Sequence, residues 1–235
     1  MTWRIGLLIP ASNAVMEVDC YRSLPHDATL HVGRMHQVDM AAGTDEEDVD
    51  RFVIPAANAL AAVFPHVVVF DCYPPMGTMG RAQETERRLG ERVAEATGAL
   101  AVGVRAAMFQ SLRDNRASQV AVVSPYGSEV NRFIKADLES GGLTVSGIHG
   151  MGLSGFEAAA VTSDDVYAYI QSCIGPRVAG DALVVAGTNL RAFSALSLLK
   201  ISYDVPIVTS NLAVLQAVKR ELEELRQREL ARLSS

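Results

Sequence analysis

The stretch VVVFDCYPPMG, Val67 to Gly77, decides how the rest of the chain is read. Four β-branched or aromatic residues are followed by turn formers, the pattern of a buried strand that stops abruptly. A strand with no polar alternation needs cover on both faces, and such strands belong to parallel sheets flanked by helices. The stop leaves Cys72 at the carboxyl end of the strand.

Working outward, the pattern recurs. Short apolar runs near 3–9, 29–35, 66–71, 99–103, 119–124, 143–148, 182–186 and 205–209 alternate with helical stretches at 13–23, 46–63, 79–96, 104–115, 127–140, 163–174, 190–200 and 211–232. The alternation predicts an α/β fold with parallel sheets.

Two strand ends look alike: RIGLLIP ends at Pro10 and QVAVVSP at Pro125, and each is followed by a short polar turn and a helix. They stand 115 residues apart, and the same step from Cys72 lands on Gly187, where DALVVAG ends. The repeat predicts two tandem, pseudo-symmetric Rossmann-like halves, residues 1–98 plus 205–235 and residues 99–204, with the last helix folding back on the first half. Ligands of open parallel sheets bind beyond the carboxyl ends of the strands. Facing halves would therefore put Pro10, Cys72, Pro125 and Gly187 around one active-site cleft.

Composition narrows the function classes. The chain has 235 residues, 49% of them hydrophobic, which is enough for a substantial core. A net charge of −6 without a basic block argues against nucleic acid. Arg4 interrupts the first apolar run, unlike a signal peptide, and nothing approaches the roughly 18 uninterrupted apolar residues of a membrane span. A cytoplasmic location is expected. Cys20, Cys72 and Cys173 show no CxxC spacing and the five histidines are scattered, so neither a metal site nor a disulfide framework is indicated. Cys20 and Cys173 fall in helices and read as structural. His149, at the end of LTVSGIH, is a candidate acid or base, though an ordinary loop histidine is the plainer reading.

Four strings carry a family likeness: IPASNAVMEVD (Ile9 to Asp19), the strand-end cysteine of VVVFDC, SPYGSEVNR (Ser124 to Arg132) and GTNLR (Gly187 to Arg191). With them the chain resembles the aspartate/glutamate racemase superfamily, in its maleate cis-trans isomerase and arylmalonate decarboxylase branch. The first and third strings are similar to the isomerase, and GLSGFEA (Gly152 to Ala158) to the decarboxylase. The resemblance implies a cofactor-independent enzyme acting on a small carboxylate, with strand-end cysteines doing the chemistry between the halves. By it Cys72 is the catalytic thiol and Gly187 stands where a second cysteine is usual. Asn13, Tyr126 and Asn189 match carboxylate-binding positions, Thr188 sits in the adjoining turn, and Asn13 also suits the cap of the first helix.

The departures are informative. Tyr73, Pro74 and Pro75 follow Cys72 where the family has Thr or Ser, and proline has no N–H to offer an anion. Tyr73, Thr78 or the Gly77 amide are the replacements on offer. A single thiol disfavours two-base racemisation and leaves two reactions. In one, a thiolate adds to an alkene and leaves after bond rotation. In the other, a thiol protonates the enediolate left by decarboxylation of a substituted malonate. Isomerisation is the first expectation, decarboxylation the second, and a non-catalytic anion binder the third. A small carboxylate is the expected partner, nucleic acid and membrane are not, and a homo-oligomer stays open.

Overall fold

The computed structural model describes residues 2–36, 49–71 and 81–233. Among the described residues, eight strands form two four-stranded parallel sheets. The first holds β1 (Trp3–Pro10), β2 (Ala28–Met35), β3 (Val67–Phe70) and β4 (Leu100–Gly103) in the order β2-β1-β3-β4. The second holds β5 (Gln119–Ser124), β6 (Thr144–Gly150), β7 (Ala182–Val185) and β8 (Ile207–Thr209) in the order β6-β5-β7-β8. The repeat reaches the register itself: Ile5 pairs with Val67, and Val120 with Ala182, each member 115 residues from its counterpart.

Helices α1 (Met16–Ser23), α2 (Ile54–Ala61), α3 (Ala82–Thr97) and α4 (Val104–Asp114) accompany the first sheet. Then come α5 (Ser128–Ser140), α6 (Gly155–Ala160), α7 (Ser163–Ile174), α8 (Leu196–Ser202) and α9 (Ser210–Leu233). A π-helical turn, Val49–Val53, leads into α2, so the described part of the helix expected over 46–63 is split. The helix expected from 190 begins only at Leu196. Its first residues form a turn in which Leu190 N–H reaches Gly187 O and Ala192 N–H reaches Leu190 O, contacts too short in sequence for an α-helix. Helix α6 was not expected. Its signal was present as a capping box, in which the Ser154 side chain accepts from Glu157 N–H and the Glu157 carboxylate accepts from Ser154 N–H.

Strand alternation explains how the halves are joined. Side chains two apart share a face. Val67 and Val69 of β3, Ile5, Leu7 and Ile9 of β1, Val120 and Val122 of β5, and Ala182 and Val184 of β7 all enter one core shared by the two sheets. The intervening residues serve separate outer cores, Val68 and Phe70 with α2 and α3, and Leu183 and Val185 with α7 and α8. The sheets divide the chain differently from boundaries at 98 and 205. β4 pairs with β3 and β8 pairs with β7, because each buried central strand needs a partner for its outer N–H and C=O groups and takes the next strand in sequence.

Helix α9 leaves the second sheet and lies against α4, α1, β3 and β4 of the first. Arg226 pairs with Asp27 at 2.7 Å, and Ser111 Oγ donates to Gln216 Oε1 at 3.1 Å. Among the described residues, no helix is long and apolar enough to cross a membrane.

Candidate active site

Three chain segments from the two halves meet beyond the strand ends. After β3, Asp71 continues the alternation of Val67 and Val69, so its carboxyl group follows those valines into the space shared by the sheets. There Asn13 Nδ2, from the turn after β1, donates to Asp71 Oδ2 at 2.9 Å. Thr188 Oγ1, from the turn after β7, donates to the same oxygen at 2.7 Å and accepts from Asn13 Nδ2 at 3.1 Å. Asp71 is only 5% exposed, and two hydrogen bonds of this triangle end on its carboxylate.

Asp71 is the centre of the polar cluster, and strand alternation is what brings it in. Cys72 follows Asp71 in the chain, but Cys72, Tyr73 and Thr78 lie outside the described residues.

Asn13 and Asn189 are both placed at the junction, and both have their hydrogen bonds filled from within. Asn13 Oδ1 accepts from Val15 N–H at 3.1 Å and Met16 N–H at 3.0 Å, which closes the turn into α1 and accounts for the helix starting at residue 16. Asn189 Oδ1 accepts from Ala14 N–H at 2.9 Å, while its Nδ2 donates to Ser12 O at 3.1 Å and Gly155 O at 2.7 Å. It ties the β1 turn to the start of α6.

Sequence reasoning missed another clamp: Asn211 Nδ2 donates to Asp19 Oδ2 at 2.7 Å and to Thr188 O at 3.1 Å. Its placement at the opening of a helix just past a strand end, in TSN, was the available signal.

Tyr126 is held by its own motif. Ser124 Oγ accepts from Tyr126 N–H at 3.1 Å and donates to Asn131 Oδ1, and Asn131 Nδ2 donates to Tyr126 O at 3.3 Å. Gly150 is required beside it, because a Cβ there would stand 2.1 Å from both Asn131 Nδ2 and Tyr126 O. Burial, and then the charge of Asp71, push the Tyr126 hydroxyl well above its ordinary pKa, so it stays a donor.

Gly187 is demanded by the backbone. Its φ is +113°, and a Cβ would meet Pro125 at 2.8 and 2.9 Å and the Tyr126 hydroxyl at 3.7 Å. A cysteine introduced here would therefore be strained. The Gly187 N–H donates to Ser210 Oγ at 3.1 Å.

The His149 ring lies back along β6, 3.4 Å from where Gly147 would carry a Cβ. Cys20 is buried in α1, and desolvation, reinforced by Asp19, Asp71 and Glu17, pushes its thiol up to about 12. Cys173 in α7 is partly buried and its pKa is also raised by burial. Among the described residues, no cluster of three or more His, Cys, Asp or Glu could hold a metal ion.

Burial raises Asp71 to about 6, against the opposing hydrogen bonds from Thr188 and Asn13. Because the folded pKa lies above the ordinary 3.8, the fold favours the protonated carboxyl group. That contribution is full below pH 4 and is lost as the pH rises through 6, a swing of about 3 kcal/mol at roughly 1.4 kcal/mol per unit. Asp71→Asn is therefore expected to unfold at higher urea than wild type at pH 7.5, with the advantage shrinking towards pH 4. An equal advantage at both pH values would show that the charge of Asp71 is not its source.

Two α/β halves of one topology, joined by a shared core and meeting in a polar cluster at their strand ends, define a two-lobed protein with a candidate site where the lobes meet. A sequence profile described as arylmalonate decarboxylase matches residues 5–233, and the chain belongs to that family. It is 25% identical over 240 residues to a maleate isomerase of Nocardia farcinica, covering 94% of this chain and 90% of the relative.

Among solved structures, a Nocardia farcinica maleate cis-trans isomerase with a covalently bound succinylcysteine intermediate superposes with a TM-score of 0.79 at 22% identity. The match covers 95% of this chain and 94% of that one. Arylmalonate decarboxylase itself superposes with a TM-score of 0.72 at 22% identity, covering 92% and 91%. These likenesses establish the two-domain α/β fold.

Proposed function

We propose that this protein is a cofactor-independent isomerase of the maleate isomerase type, acting through Cys72 on a small unsaturated dicarboxylate or close analogue. The observation that carries the reading is the convergence of Asn13, Asp71 and Thr188 from three strand ends and both halves, one residue before Cys72 in the chain. Relatives named as maleate isomerases, one of them holding a succinylcysteine, support the same chemistry.

In this reading the Cys72 thiolate adds to one alkene carbon. The electron pair of the double bond moves towards the neighbouring carboxyl group as an enediolate, and the former double bond rotates. Expulsion of the thiolate then restores the alkene in the trans form. The developing charge needs fixed donors. The Tyr126 hydroxyl, kept protonated and aimed towards the Gly187 side, supplies one. The Asn13, Thr188 and Asn189 side chains fix the turns that shape the pocket, and Tyr73 and Thr78 are proposed to contact the substrate from the turn after Cys72.

One observation favours a second reading. A buried carboxylate at Asp71, adjacent in sequence to Cys72, disfavours a thiolate and suits a thiol that donates a proton. That role belongs to decarboxylation of a substituted malonate, in line with the family to which the chain belongs. Proton NMR on maleate, citraconate and aryl- or alkylmalonates separates the two. A cis-to-trans change without carbon dioxide is the expected result. Carbon dioxide release from a malonate alone would replace the first reading with the second.

A further inference from the structure

The hydrogen-bonding capacity of the cluster has a consequence for substrate choice. Both N–H bonds of Asn13 are spent, on Asp71 and on Thr188, and the Thr188 hydroxyl hydrogen also goes to Asp71. The side-chain donors best placed to hold a second substrate carboxylate therefore end on a carboxylate of the protein itself.

Among the described residues Asp71 forms no salt bridge, and burial and the two neutral donors set its ionisation. With a value near 6 it is mostly charged at neutral pH. A second carboxylate brought here would meet like charge, with the side-chain hydrogens of Asn13 and Thr188 already used.

We propose, resting on the isomerase reading, that Asp71 makes this subsite an acceptor, so that the preferred substrate is a monoanion whose second carboxyl group is replaced by a hydrogen-bond donor such as a primary amide. The substrate's remaining carboxylate is left to the Tyr126 side of the cleft. The amide N–H bonds are directed to the Asp71 oxygen that Asn13 and Thr188 do not use. The alkene chemistry at Cys72 is unchanged by this assignment.

The test compares maleic acid monoamide with maleate at pH 7.5. In the Cys72→Ser protein, where addition is blocked, calorimetric titration should find the monoamide bound at least about tenfold more tightly, a difference of one charge-assisted hydrogen bond. Adding Asp71→Asn to that protein should abolish or invert the preference. Turnover in wild type, followed by proton NMR, should show the same order in kcat/KM.

Equal or tighter binding of maleate by the Cys72→Ser protein would overturn the proposal, as would failure of both compounds to bind. A preference that survives Asp71→Asn would also overturn it. The binding preference without turnover of either compound would instead overturn the isomerase reading and leave the acceptor subsite standing. If the Asp71 variant does not fold, the wild-type kcat/KM ratio and the Cys72→Ser titration still decide the matter.

Discussion

Cys72→Ser is expected to lose at least about a thousandfold in turnover, because a hydroxyl is a far weaker nucleophile than a thiolate near neutral pH. Cys20→Ser and Cys173→Ser should stay near wild type. Cys20 is walled into α1 with its thiol pushed up to about 12, and Cys173 sits in α7 against the outer core of the second half. Steady-state rates of the three variants, each checked for folding by circular dichroism, give the answer. A folded Cys72→Ser protein that retains activity would remove the thiol from the chemistry.

The largest loss of stability is expected at the junction of α4 and α5. Arg105 Nε donates to both oxygens of Asp137, at 3.0 and 2.8 Å, with the two side chains 5% and 2% exposed. The guanidinium also stacks over Phe109, 4.2 Å from the ring centroid. Asp137→Ala breaks a buried ion pair and leaves the Arg105 guanidinium, which cannot lose its proton, to the nearby buried carboxyl group of Glu86, and breaking such a pair costs about 3–5 kcal/mol. Replacing both partners, as Arg105→Met with Asp137→Leu, should recover most of that loss. Urea unfolding of the single and double variants measures it, and a single variant within about 1 kcal/mol of wild type would place the pair among ordinary surface interactions.

The fold was legible in the sequence wherever burial left no choice of period. β3 is apolar at all four positions, and the 115-residue step between strand ends anticipated a register that repeats pair by pair. Less legible were features set by tertiary contacts. The turn at Gly187 to Ala195 has helix-forming residues but is held open by Asn189 and by the positive φ of Gly187.

The site was legible as a set of positions. Asn13, Thr188 and Asn189 do meet at the junction, but spacing cannot show that their donors are already taken by Asp71 and by backbone carbonyls. Asp71 enters the cluster because it shares a face with Val67 and Val69, and the sequence alone does not show that this face is the one shared by the two sheets.

Single-thiol isomerisation is tested most directly by following the reaction in deuterated water. With glycine at 187, where the resemblance places a second cysteine, the enediolate is expected to collapse by expelling the thiolate. The trans product of maleate or its monoamide should keep both vinyl protons, with no carbon dioxide released. Deuterium at a vinyl carbon, or conversion that persists in the Cys72→Ser protein, would contradict it.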